Sequence, residues 1–511
     1  MSTWDYLPPE VRAMILEELG KHPQKASYAS VSREWQAVIE KSTFHRLKLK
    51  ENCLDELDQI TEHQRGLVRH ICLDIELPTY TCICCKRLES ETGRRNQNKL
   101  ATRAICKLFS KLSTWEPTRE GLTLELNAYS TSDKEHWLKA CYLGTLEEDR
   151  LLDSGLPIST NEIDDPDHGW VQGKRVSLPP KEAIRRIYGG INIKFYRQLP
   201  QVQAVTKFLL GRQCRRQWTP PTLQQIWEKL PRLEEIVYEP WRLFEKPLQD
   251  FQRDGQYYKM VTSHLPAQLR KLSVFEDFNE TLQSVFQEPE HTYTAFFPTG
   301  QSYIGSWNLD RVRKPSREVA EGFAARSLDL EYLSVAFMAE ARHFIDGAKK
   351  TWKWHELRSL SLTSRLMDRE SDSQEISHLL RDAGAVALLM PKLETMNIWS
   401  GLKGEACAFM YRQNDSSITW RGTWEFEFSR DIIQRWKKVV ARFAREELQV
   451  RLQLLDCEIL SHGDAIHHLS LDCVIDPVSL LQIRGESEQS FDEEGDGSAV
   501  SVGGPSGCNQ S

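Results

Sequence analysis

The stretch HLLRDAGAVALLMPKLETMNIW, residues 378–399, contains the two kinds of regular structure that decide the fold. Up to Met390 its apolar residues recur every three or four positions, which is typical of one face of a helix. Pro391 then ends the helix, since proline is poorly tolerated inside one. Beyond it, Met396 and Ile398 are spaced by two, as on one face of a strand. The stretch therefore predicts a helix, a break and a strand in one unit.

Units of this kind recur at irregular intervals, in segments 65–77, 229–241, 265–278, 328–338, 354–366 and 390–401. Each has a Leu or Pro step followed by an apolar pair spaced by two. Because strand side chains alternate between the two faces of a sheet, we expect these pairs to point inward. The pairs are Ile236 and Tyr238, Leu272 and Val274, Leu333 and Val335, Leu360 and Leu362, and Met396 and Ile398.

Stacked units of this shape form an α/β solenoid with a parallel sheet. The pattern resembles leucine-rich repeats, although the gaps are less regular than the repeat of about 20–29 residues. The sequence therefore predicts an irregular leucine-rich-repeat-like α/β solenoid with long inserted loops. The polar or unpatterned stretches 81–99, 143–182 and 287–316 are the expected insertions.

Four residues of these strands are predicted to face away from the helices. The alternation places Phe275, Tyr332, Asn397 and Trp399 on the outward face. Aromatic side chains are frequent anchors of protein interfaces. We expect this group to bind a target protein, unless an inserted loop or a neighbouring helix covers it.

The N-terminus is patterned differently. LPPEVRAMILEEL, residues 7–19, predicts a short helix that begins at its prolines and carries one apolar stripe, and Gly20 follows. A second helical stretch has Val31, Trp35 and Ile39 on one stripe. Two short helices bury little surface, so the unit is marginal alone unless part of its apolar face is meant for a partner. The alternative is an ordinary helical hairpin packed on the next domain.

Leu-Pro-x-Glu with an apolar helix, then Val-Ser-x-x-Trp, then an aromatic residue and Leu, resembles an F-box. The resemblance implies docking on Skp1, the adaptor of cullin-based ubiquitin ligases. It departs in lacking the usual Leu between the helices and in having Phe44 where Trp is frequent. The Skp1-binding residues that it implies are Leu7, Pro8, Val11, Ile15, Leu16, Val31 and Trp35.

Most of residues 1–460 resembles a group of fungal F-box proteins that share a C-terminal domain of unassigned function. The matching stretches include WKWHELRSLSLTSRLM and ITWRGTWEFEF. We therefore expect an F-box at 1–50, a repeat-like recognition domain at 51–484 and a disordered acidic tail at 485–511. The tail has six carboxylates and no Lys or Arg, a composition that cannot form a core.

Composition limits the partners. Of the net charge of −7, the tail accounts for −6, so the remaining chain is nearly neutral. This gives no indication of nucleic-acid binding, and no run of apolar residues is long enough to predict a membrane span. Scattered cysteines and no secretory pattern favour the cytoplasm or the nucleus, with free thiols.

Metal and catalytic sites have little support in the sequence. Cys82 and Cys85 have the spacing of a zinc-binding pair, but no second pair follows. We interpret them as free thiols in a loop and expect no metal and no cofactor. Common nucleotide-binding and hydrolase motifs are missing, so we expect a non-catalytic protein.

The expected function is that of a substrate-receptor subunit of a Skp1–cullin–F-box ubiquitin ligase with an unknown target. Two alternatives stay open. The first is a Skp1-bound scaffold outside any ligase. The second, less favoured, is a metal-dependent enzyme that uses the region of Cys82.

Overall fold

A mostly parallel twelve-stranded sheet forms the centre of this mixed α/β protein. The computed structural model describes residues 3–20, 22, 25–145, 148–149, 158–245, 248–286, 293–296, 302–305, 313–443, 446–471 and 473–487. The strands of the sheet are β1 Arg46–Lys50, β2 His70–Glu76, β3 Leu122–Tyr129, β4 Val205–Leu210, β5 Glu235–Tyr238, β6 Lys271–Phe275, β7 Tyr332–Ala336, β8 Ser359–Thr363, β9 Thr395–Leu402, β10 Glu405–Arg412, β11 Ser417–Gly422 and β12 Gln449–Leu454.

Helices occupy most connections between these strands. They are α1 Pro9–Leu19, α2 Arg33–Phe44, α3 Leu57–Thr61, α4 Cys82–Cys85, α5 Glu91–Leu112, α6 Thr131–His136, α7 Lys181–Ile187, α8 Pro220–Trp227, α9 Asp254–Lys259, α10 Glu280–Ser284, α11 Arg317–Arg326, α12 Ala341–Gly347, α13 Ser373–Ala387, α14 Arg430–Phe443, α15 His462–Leu469 and α16 Pro477–Ser487. In the part of the chain that the structure describes, no helix is long and apolar enough to cross a membrane.

The strands lie in the sheet in the same order as in the chain, from β1 to β12. Neighbours are parallel, except that β10 runs antiparallel to both β9 and β11. A parallel connection requires a crossover, and the helices between the strands supply it. The predicted unit at 378–399 is confirmed, because α13 precedes β9 and Asp372 caps α13 by accepting a hydrogen bond from Gln374 N.

The predicted inward pairs form one layer of the core. Leu272 lies opposite Ile236 and Leu333, and the row continues through Leu360 to Met396. The second members of the pairs form a parallel row two residues further along. None of the ten side chains is more than 2% exposed. The inward assignment is confirmed, and helices α5, α8, α11, α13 and α14 pack against this face.

The opposite face of the sheet is covered as well. Helices α15 and α16 lie over the ends of β6, β7, β9 and β10, where they form a second apolar cluster. We call these two helices the cover. Glu486, which the sequence places in a disordered tail, belongs to α16. The predicted boundary at 485 is therefore too early, and residues 488–511 lie outside the described part of the chain.

The predicted insertions and domain boundary also need correction. Segment 81–99 contains α4 and the first half of α5 instead of a loop. The described part of 143–182 contains a two-stranded ribbon, Trp170–Val171 with Lys174–Arg175. Segment 287–316 is described only in part, with an antiparallel hairpin of 293–296 and 302–305. The sheet itself begins at Arg46, before the expected boundary at 50.

Candidate functional site

The two N-terminal helices bury one residue each between them and leave other apolar residues outside. Leu16 of α1 is 1% exposed and Ile39 of α2 is fully buried. On α1, Val11 and Ile15 are both 37% exposed and Met14 is 68% exposed. Positions i, i+3 and i+4 share one side of a helix. We call Val11, Met14 and Ile15 the N-terminal apolar face.

Trp35 of α2 holds the start of the chain in place. Its backbone N–H bonds the side chain of Ser32, the N-cap of α2, at 3.3 Å. Its ring packs on those of Trp4 and Tyr28, with centroid distances of 5.1 and 6.4 Å. Trp4 Nε1 in turn donates to Glu34 Oε2 at 3.1 Å. Trp35 is thus partly buried inside the helical unit and organises its fold.

The predicted Skp1-binding residues divide into three groups by exposure. The exposed residues are Pro8, Val11, Ile15 and Val31, whereas Leu7 and Trp35 are half-buried. Leu16 is inside the unit, so its side chain does not reach a partner in this arrangement, and that assignment is corrected. Met14 was missed, although its spacing of three from Val11 placed it on the same stripe.

The predicted target-binding residues lie on the second face of the sheet, as the alternation requires, but three of the four are buried there. Phe275 and Trp399 are fully buried, and Asn397 is 1% exposed. The ring of Phe337 lies 5.3 Å from that of Trp399, and α15 covers both. These three residues do not touch a target in this arrangement, a correction that follows from their burial.

Tyr332 is the accessible member of the predicted group. It lines a cleft of about 310 Å³ between the strands β4 to β7 and the segment that leads into α16. Lys207, Glu235 and Lys271 contribute charged side chains to the same cleft. The hydroxyl of Tyr332 donates to the carbonyl oxygen of Cys473. The cleft therefore presents both charged and apolar side chains, and the tyrosine is already bonded to the C-terminal segment.

A buried ion network joins the C-terminal helices to the middle of the sheet. Arg212 donates to Asp277 and to Glu486, and Arg215 also donates to Glu486. His462 Nε2 lies 2.9 Å from Asp277 Oδ1. Burial alone would raise the pKa of Asp277, but Arg212 and His462 outweigh it and hold that pKa well below its usual range. The network therefore bonds α15 and α16 to residues at the middle of the sheet.

Four potential metal ligands converge at the ends of β2 and β3. Cys82 and Cys85 come from α4, His136 ends α6, and His168 lies in a turn of the segment after β3. One ligand atom of each residue lies within 4.8 Å of those of the others. His168 is 83 residues from Cys85 in the chain. The cysteines are free, as expected, but the prediction of a loop is wrong, since α4 is helical and two of its thiols face the two histidines.

Comparison with known protein families finds a match for part of the chain. A family model described as a family of unknown function (DUF6546) is similar to residues 264–476. No curated protein matches the chain, and no solved structure matches it. No match to an F-box family model accompanies the N-terminal helices. The matched segment runs from just before β6 through α15, so it includes the later strands and part of the cover but neither the N-terminal apolar face nor the four converging ligands.

Proposed function

We propose that the protein is a substrate-receptor subunit of a Skp1–cullin–F-box ubiquitin ligase. The observation that carries the proposal is the N-terminal apolar face, exposed on a helix whose sequence resembles an F-box. Three apolar side chains on one side of a short helix are suited to a helical partner groove. Skp1 is the partner that the resemblance implies.

In this proposal the chain beyond the helical unit is an irregular leucine-rich-repeat-like solenoid that holds the target. Its support is the coincidence of strand order with chain order and the stacked apolar rows between successive parallel strands. Successive units that contact mainly their neighbours are characteristic of solenoids. The target is a protein of unassigned identity, and the complex acts in the cytoplasm or the nucleus.

The mechanism is bridging. Helix α2 leads through a single residue into β1, the first strand of the sheet, so the docking helices and the recognition domain are joined without a long linker. A short, ordered connection holds a bound target at a fixed position relative to Skp1. The target's lysines then meet the ubiquitin donor at high effective concentration. This function needs no catalytic residue in the chain.

Co-purification with recombinant Skp1 tests the docking. The wild type should bind, and Val11→Glu combined with Ile15→Glu should abolish binding, because two charges would enter an apolar interface. The pair Leu7→Ala and Pro8→Ala should weaken it. The matched control is Val450→Glu with Leu452→Glu, since these apolar residues are also exposed but lie on β12 at the other edge of the sheet.

Two results would overturn parts of the proposal. If the wild-type chain does not bind Skp1, the adaptor role is wrong. If the variant with Val11→Glu and Ile15→Glu still binds Skp1, the N-terminal apolar face is not the docking surface. A pull-down probed for cullin separates a ligase subunit from a Skp1-bound scaffold. Cullin present with Skp1 supports the ligase, whereas Skp1 without cullin supports the scaffold.

A further inference from the structure

We propose that Cys82, Cys85, His136 and His168 bind one zinc ion, which fastens segment 158–177 to the carboxyl ends of β2 and β3. The inference is independent of Skp1 binding. It rests on the spacing of the ligand atoms, on the partners of the two imidazoles, and on the position of the cluster between three separate parts of the chain.

The spacing agrees with a tetrahedral zinc site. The two sulfur atoms are 3.9 Å apart, and His168 Nε2 lies 3.4 Å from each of them. Zinc bonds of about 2.3 Å to sulfur and about 2.0–2.1 Å to nitrogen place two sulfurs about 3.8 Å apart and sulfur and nitrogen about 3.6 Å apart. Cys82, Cys85 and His168 thus already have the spacing that one zinc ion requires, and the ligand atom of His136 lies within 4.8 Å of theirs.

The ligand types favour zinc over other metals. Two thiolates balance the charge of a divalent ion, and two neutral imidazoles complete a Cys₂His₂ set. Calcium and magnesium prefer oxygen ligands, which this group does not offer. The single turn of α4, closed by a 2.9 Å bond from Cys84 N–H to Thr81 O, brings the two sulfurs to the same side. Cys84 is not among the four residues.

Both histidines are oriented by a second partner. His168 Nδ1 bonds Asp165 Oδ2 at 2.8 Å, and Asp165 also pairs with Lys139 at 2.9 Å. This leaves Nε2 of His168 directed at the two sulfurs. His136 Nε2 bonds the carbonyl oxygen of Tyr80 at 3.3 Å, which leaves Nδ1 for the ion. A carboxylate or carbonyl behind each metal-binding histidine is the usual outer shell of a zinc site.

The side chain of Trp137 packs against the site. Trp137 donates from Nε1 to the carbonyl oxygen of Cys85 at 3.1 Å, and its ring contacts that of His168 edge-on at 5.1 Å. Cys85, His136 and His168 are all buried, and Cys82 is exposed. Four protein ligands leave no open coordination position for a substrate, so the ion is structural.

The site has an evident structural purpose. Within the described part of segment 158–177, regular structure is limited to a turn at 166–168 and the ribbon of Trp170–Val171 with Lys174–Arg175. Such a segment buries few apolar groups of its own. A zinc ion that connects it to α4 and α6 supplies the missing constraint, because the free energy of metal binding adds to that of folding.

The metal content of the purified full-length chain tests the proposal. We expect one zinc per chain in the wild type and in Cys84→Ser, the matched control from the same run of cysteines. Cys85→Ser and His168→Ala should lose the ion, and His168→Cys should retain it as a Cys₃His site. A wild type without zinc, or equal zinc in Cys84→Ser and Cys85→Ser, would overturn the inference.

Two further measurements cover the case in which the ligand variants fail to fold. Asp165→Asn leaves all four ligands in place and should lower zinc affinity about 10–100-fold, as loss of an outer-shell partner does. Cobalt(II) added to the chelator-treated wild type should give the visible absorption of a tetrahedral ion and a sulfur-to-metal charge-transfer band. A cobalt spectrum without that band would exclude thiolate ligands and contradict the assignment.

Discussion

Glu486 in the last described helix accepts a 2.8 Å hydrogen bond from Nη2 of Arg212, a residue 274 positions earlier in the chain. Arg212 and Arg215 are both nearly inaccessible, and their guanidinium groups lie over the ring of Trp241 at 4.9 and 4.6 Å. Burial alone would raise the pKa of Glu486, but the two arginines outweigh it, so that pKa lies below its usual value. One carboxylate therefore serves two buried cations.

Replacing this carboxylate should be costly. Glu486→Gln leaves Arg215 without its charged partner, and breaking a buried ion pair from one side costs about 3 kcal/mol. The free energy of unfolding in urea should fall by that amount. Glu394→Gln is the control, because Glu394 and its partner Arg358 are both half exposed, and such pairs contribute less than about 1 kcal/mol. Equal losses in the two variants would contradict the role of the network.

Asp74 should make stability depend on pH. Burial raises its pKa to about 6 against the counteracting Lys48 and Asn127, with Glu125 and Asp149 adding to the rise. The unfolded carboxyl has a pKa of 3.8, so between these values the folded chain holds a proton that the unfolded chain has released. Stability therefore falls as the pH rises from about 4 to 6, by up to about 3 kcal/mol.

Asp74→Asn should remove this part of the pH dependence. The amide oxygen still accepts the 3.0 Å bond from Asn127, and Lys48 keeps its 2.7 Å pair with Asp149. Urea unfolding at several pH values between 4 and 7 should show that the free energy of unfolding of the variant increases relative to that of the wild type as the pH rises. A difference between the two chains that stays constant over this range would refute the shifted titration.

Alanine substitutions at two glycines should change the stability of the fold in opposite directions. A Cβ on Gly401 of β9 would lie 2.4 Å from Cβ of Ala465, so Gly401→Ala must push α15 away from the sheet. Overpacking of this kind costs about 1–3 kcal/mol. Gly255 lies in helix α9 with open space around it, and Gly255→Ala should gain about 0.5–1 kcal/mol. Thermal unfolding of the two variants measures both changes in stability. An unchanged stability of Gly401→Ala would mean that α15 does not pack closely against β9.

Removing the cover should expose the second face of the sheet. A chain that ends at residue 456 lacks α15 and α16, so Phe275, Phe337 and Trp399 would meet solvent. We expect it to bind an apolar fluorescent dye and to aggregate, as large exposed apolar patches do. A chain that ends at residue 487 should do neither. Dye binding at the same low level in both truncated chains would show that the cover is dispensable.

The sequence predicted those features that depend on local pattern. The alternation around Leu272, Leu333 and Leu360 identified the inward face because a strand has only two faces, and one of them must pack on the helices. The same alternation put Trp399 on the other face correctly. Whether that face is open depends on residues 459–483, which no local pattern connects to β9.

The four converging ligands show the same limit. Cys82 and Cys85 are visible as a pair in the sequence, but the two histidines that join them in space follow the next strand and lie in the segment beyond it. The available signal was weak. Asp165 lies three residues before His168, at a distance along the chain that allows the carboxylate to orient the ring. The parallel pairing of β2 with β3 brings α4 and α6 together, and the turn at 166–168 then adds His168.

The agreement between strand order and chain order has a consequence for biosynthesis. Each strand after β1 adds beside the strand of the sheet made just before it, so the sheet is able to grow from β1 as the chain is synthesised. The cover is the exception, since α15 and α16 are made last and must return to strands completed much earlier. Until then, the nascent protein carries a bare aromatic face, Arg215 lacks its partner Glu486, and Arg212 is paired with Asp277 alone.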